Sequence, residues 1–147
     1  MHITLMVWYL QLCMPSAHFL VDPYGFWVTG FVSGSQEPDD CFYIANYEAV
    51  IGKSRLDLAV DPPPDLAIES DYTSKTRLDA YIALKVPELW IYDRGLKNYV
   101  IDGEDFLVVE NSPTFPGLPI KVMVDRVIQQ AQQVGSSRAL RAFEETL

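Results

Sequence analysis

DPPPDLAIESDYTSKTRLDAYIALKVPELWIYD, residues 61–93, reads as a strand, a helix and a second strand in that order. Pro62, Pro63 and Pro64 make a stiff extended entry, because each ring fixes φ and disfavours helix in the residue before it. Asp65 to Asp71 then alternates, and the period of two on a strand puts Asp65, Ala67, Glu69 and Asp71 on one face. Leu66 and Ile68 take the other face, toward a core. Three carboxylates on one strand face repel one another, an arrangement that a divalent cation would relieve. Hard cations such as Mg²⁺ take oxygen ligands and need only one or two carboxylates beside phosphate and water.

Thr73 and Ser74 suit a helix N-cap. From Lys75 the apolar spacing is helical, with Leu78, Tyr81 and Ile82 on one stripe. Lys75 and Arg77 fall in the first turn, where the helix dipole disfavours cations, so they fit better beside carboxylates or phosphate. Val86-Pro87 ends the helix. Leu89-Trp90-Ile91-Tyr92 is a continuous apolar strand, expected to be buried on both faces and parallel to the first.

The chain has 147 residues, enough for one domain with a sizeable core, and 49% hydrophobic content excludes a disordered class. A net charge of −9 argues against broad electrostatic binding to nucleic acid. Cys13 and Cys41 have neither metal nor disulfide spacing and read as thiols of a reducing, cytoplasmic compartment. No apolar run is long enough to span a membrane.

Residues 1–35 form an atypical apolar segment, with Asp22 its one acidic residue and no Lys or Arg before Lys53. They read as strands or a short helix, part of the core or appended to it; Gly25–Val32 fits one strand. In residues 36–147, Glu37-Pro38-Asp39-Asp40 opens a strand at Cys41–Ile44. Asn46–Lys53 is a short helix or loop closing at Gly52, and Leu56–Val60 is extended. Asp93-Arg94-Gly95 is a turn, and Tyr99–Ile101 and Phe106–Val109 are strands joined at Asp102-Gly103, a hairpin signal. A proline-rich loop follows at Ser112–Pro119. Ile120, Met123, Val124, Val127, Ile128, Ala131 and Val134 have helical spacing that closes at Gly135, and Ser136-Ser137 can cap a last helix carrying Leu140, Phe143 and Leu147.

Glu37-Pro-Asp-Asp-Cys-Phe-Tyr-Ile, Asp61-Pro-Pro-Pro-Asp-Leu-Ala-Ile-Glu and Val86-Pro-Glu-Leu-Trp-Ile-Tyr together resemble the cyanobacterial branch of the Uma family of restriction-endonuclease-like proteins. That family is placed in the PD-(D/E)xK nuclease superfamily. The loop Ser112–Pro119 and the helix after it also resemble that branch, so the likeness covers roughly residues 36–147. It implies an α/β fold, a mixed β-sheet flanked by helices with a restriction-endonuclease-like core. It also implies a Mg²⁺-dependent endonuclease acting on phosphodiester bonds of DNA, with Mn²⁺ as an alternative ion. By motif Asp39, Asp65 and Glu69 would be the metal ligands, and Lys75 the catalytic cation, with Arg77 as the alternative. Asp71 stands where the motif lysine is expected. The resemblance also admits a homodimer, since such nucleases often cut two strands as pairs.

Residues 1–35 follow none of the family pattern, which leaves open a truncated member or a catalytically inactive, nuclease-like interaction domain. Read without the family, Asp65 and Glu69 are solvent-facing acids on a half-exposed strand, Asp39 is a turn acid, and Lys75 and Arg77 lie on a solvated helix surface.

Overall fold

The structure is a computed structural model that describes residues 27–29, 38–53, 55–70 and 78–146. Its strands are β1 (Trp27–Thr29), β2 (Asp40–Phe42), β3 (Arg55–Asp57), β4 (Leu66–Ser70), β5 (Glu88–Tyr92), β6 (Leu96–Asp102) and β7 (Asp105–Val109). Its helices are α1 (Leu78–Leu84), α2 (Ile120–Val134) and α3 (Ser136–Glu144), with a single 3-10 turn at Tyr47–Ala49. Five strands form one mixed sheet in the order β2-β4-β5-β6-β7. The β4–β5 pair is parallel and the other three are antiparallel. β1 and β3 form a separate parallel pair, which ties part of the apolar N-terminal segment to the chain beyond it. The strand expected at Gly25–Val32 falls within the described residues only at β1; the rest of residues 1–37, apart from that strand, lies outside them.

The period of two decides what each sheet face packs against. Leu66, Ile68, Trp90, Tyr92 and Leu96 pack with Ile120, Val124, Val127 and Ile128 of α2 and Leu140 and Phe143 of α3. The opposite face, Ala67, Leu89 and Ile91, packs with Tyr81 of α1 and with Val86. The sheet is therefore covered by helix on both sides. Every residue of β5 is buried, as a parallel inner strand requires. A smaller cluster of Tyr43, Val50 and Leu56 joins the 3-10 turn to β3.

Turns follow side-chain and backbone chemistry. Gly103, φ 65, opens the two-residue β6–β7 hairpin, where a residue with Cβ would be strained. α2 ends at Gly135, φ 86, as its spacing predicts. α3 departs from expectation in its cap: Gly135, not Ser136, is the N-cap residue, and Ser136 is already helical. The expected extended run Leu56–Val60 breaks after Asp57. The Asp57 carboxylate accepts from the Ala59 amide at 3.0 Å, and the Asp61 carboxylate accepts from the Asp57 amide at 2.9 Å, folding residues 57–61 into a turn. Lys53 pairs with Asp61, and that bond holds the Asp61 carboxyl below its usual range. Among the described residues, no helix is long and apolar enough to cross a membrane.

Candidate active site

Asp39 stands immediately before β2, and its Oδ2 accepts a 2.7 Å hydrogen bond from the Ser70 amide at the end of β4. β2 and β4 pair Asp40 with Ile68 and Cys41 with Ala67. Carried one residue further, that register sets Asp39 across from Glu69, and directly opposed residues of an antiparallel pair share a face. Cys41 and Ala67 are the next pair along that face. Two acids far apart in the chain thus meet at the carboxyl end of β4, the end at which α/β sheets bind their ligands.

Glu69 is not a solvent-facing acid. It is 4% exposed, because α1 covers its side of the sheet, and its Oε1 accepts a hydrogen bond from the Tyr81 hydroxyl. Tyr81 titrates far above the usual tyrosine range: burial is the main cause, followed by the Glu69 hydrogen bond and its charge, with Cys41 and Asp39 adding to it. The field of Asp39 at that hydroxyl agrees with the strand register. The alternative of a half-exposed strand is overturned by the burial of Leu66, Ala67, Ile68 and Glu69 alike.

Asp65 does a different job. It lies four residues before Glu69, about 13 Å along the strand at the usual rise per residue. Its Oδ2 accepts from the Ile44 amide at 2.6 Å and the Asn46 amide at 3.2 Å, and its Oδ1 from Asn46 Nδ2 at 3.3 Å. The carboxylate ties the loop after β2 to the start of β4, one strand's length from the Asp39–Glu69 pair. Nearby, Tyr43 donates its hydroxyl to the Pro62 carbonyl at 3.1 Å, fixing the proline entry, and burial pushes that hydroxyl far up. Replacing Asp65 with Ala orphans three donors. The expected cost is about 2 kcal/mol, read as a lower urea midpoint. An unaltered midpoint would reverse that assignment.

Lys75, the alternative Arg77, Asp71 and the expected caps Thr73 and Ser74 lie outside the described residues. Among the described residues, no group of three or more His, Cys, Asp or Glu side chains is placed to hold a metal ion. Asp39 and Glu69 are a pair of hard oxygen donors, which suits Mg²⁺ in the mode where water and substrate phosphate complete the shell.

Two residues with decisive roles escape the reading of the sequence. Tyr81 falls on the apolar stripe of its helix and reads as core, yet its hydroxyl holds Glu69. Glu88 falls just before the strand expected at Leu89–Tyr92. It is in fact 2% exposed and accepts four hydrogen bonds: Trp90 Nε1 at 2.7 Å and Asn98 Nδ2 at 2.8 Å on Oε1, the Thr114 amide at 3.0 Å and hydroxyl at 2.5 Å on Oε2. The available signal is its period: Glu88 shares a face with Trp90 and Tyr92 in a strand buried throughout. Asp65 and Glu88 both line an open cleft of about 340 Å³ with Ile44, Pro87 and Thr114. That cleft belongs to the amino end of β4 and β5, away from Glu69.

Compared with known proteins, the chain matches no family model, and no curated protein or solved structure is significantly similar to it.

Proposed function

We propose that the protein is a Mg²⁺-dependent endonuclease built on a restriction-endonuclease-like core, hydrolysing phosphodiester bonds of DNA in the cytoplasm. The observation that carries this reading is the meeting of Asp39 and Glu69 across the β2–β4 pair, at the carboxyl end of a strand in a parallel crossover. The mixed sheet with helices on both faces is compatible with it. In this reading Asp39 and Glu69 hold the ion, and Mn²⁺ can replace Mg²⁺ on the same oxygens. Such an ion stabilises charge on a phosphoryl oxygen and lowers the pKa of a bound water. The Ser70 amide fixes Asp39 and the Tyr81 hydroxyl fixes Glu69, so the ligands are ordered before substrate arrives. Lys75, six residues beyond Glu69 in the chain, supplies a cation for the phosphate. Asp65 enters as the residue that braces the strand. With a net charge of −9, the protein surface offers little general attraction for DNA, so binding rests on contacts close to the ion.

The test is cleavage of plasmid and linear DNA in Mg²⁺ and in Mn²⁺ by the wild type and by Glu69→Gln. The variant keeps an acceptor for Tyr81 and removes the charge. Its cleavage is expected to fall at least ~100-fold with the circular dichroism spectrum unchanged. Full activity in the variant would remove Glu69 from the chemistry.

A second reading is a catalytically inactive module that pairs with a further copy of itself. It is favoured by β7, an edge strand on which Leu107 and Val108 are 58% and 59% exposed. Sedimentation showing dimers, together with calorimetry showing no saturable divalent-ion site, would decide for it.

A further inference from the structure

Tyr81 belongs to a helix of seven residues, and its ring is 1% exposed among Ala67, Val86, Leu89 and Ile91. An apolar ring would fill that space as well. The hydroxyl is therefore not explained by packing, and its bond ends on the one buried acid of β4. Glutamate has three rotatable side-chain bonds, and a carboxylate that must meet an ion at a fixed point gains affinity when a neighbour holds it there in advance. Asp39 is held in the matching way by the Ser70 amide.

We propose that Tyr81 is a positioning residue for the divalent-ion site: it reaches from α1 onto the sheet face that α1 covers and fixes the Glu69 carboxyl beside Asp39. The inference rests on the metal-dependent reading of the Asp39–Glu69 pair. It adds that α1 is part of the site, with its placement on the sheet setting ion affinity.

The experiment is calorimetric titration of the full chain with Mn²⁺ and with Mg²⁺, on wild type, Tyr81→Phe, Val86→Ala and Glu69→Gln, with a thermal melt of each. Tyr81→Phe preserves the ring and removes only the hydroxyl. It is expected to bind the ion roughly 10–100-fold more weakly, the usual loss when a group orienting a metal ligand is removed. Val86→Ala loosens the same apolar cluster without touching the hydroxyl, and is expected to melt earlier with wild-type ion affinity. Wild-type affinity in Tyr81→Phe, or an equal loss in Val86→Ala, overturns the positioning role while the metal reading stands. A wild type with no saturable site, or with one that Glu69→Gln leaves intact, overturns the metal reading itself, and the inference goes with it.

Discussion

Glu88→Leu is expected to lower stability by about 4 kcal/mol. The leucine fills most of the volume but accepts nothing, so Trp90 Nε1 and Asn98 Nδ2 lose their acceptor in a place that water does not reach, at ~1–3 kcal/mol each. The Thr114 amide and hydroxyl lose theirs as well, which releases the loop Ser112–Pro119 from the sheet and with it the seat of Phe115. Asn98 already carries one buried acceptor atom, Oδ1, with no hydrogen-bond partner, so the neighbourhood has little slack for a second loss. For a chain of this size the melting temperature should fall by roughly 8–16 °C. Glu88→Gln should cost less, since its amide oxygen still accepts from Trp90 and Asn98 while its NH₂ group faces the donors of Thr114. A melt of Glu88→Leu within ~2 °C of wild type would show that those donors find other partners.

Trp90→Ala is expected to cost about 3–5 kcal/mol, the range for emptying a fully buried aromatic site. Trp90 is 0% exposed and is among the largest side chains in the core. Its ring meets Phe115 at 5.8 Å between centroids and a tilt of 51°, so one truncation weakens both the sheet face and the loop laid over it. The indole also donates to Glu88, which makes the two substitutions partners in one network. The double variant should be less destabilised than the two single losses added together, and a denaturant series on all four proteins measures that coupling. Strict additivity would mean that the Trp90–Glu88 bond contributes nothing.

The central strands and helices are legible in the sequence because their signals are local and periodic. Leu66 and Ile68 alternate with Ala67 and Glu69 on β4, β5 is apolar without interruption, and α2 repeats its apolar residues at helical spacing up to Gly135. The turn at residues 58–61 is less legible. Apolar Leu58, Ala59 and Val60 look extended, and what bends them is a pair of aspartates bonding backbone amides. The acids are visible as acids but not in their roles. Asp65 and Glu69 lie on one alternating stretch, yet the partners that separate them, the amides of Ile44 and Asn46 for one and a hydroxyl on α1 for the other, come from distant parts of the chain. Glu88 is hidden for the same reason, since its donors come from β5, β6 and the loop after β7.

β2 spans three residues at one margin of the five-stranded sheet, and Asp39 precedes it. The acidic pair is therefore half carried by the shortest strand of that sheet, at one of its two edges, and half by an inner strand with neighbours on both sides. Fraying of β2 alone would separate the two carboxylates while the helices and the inner strands kept their register. What keeps the pair assembled is therefore the three-residue β2–β4 ladder together with the Asp39–Ser70 hydrogen bond and the Asp65 anchor on the loop after β2.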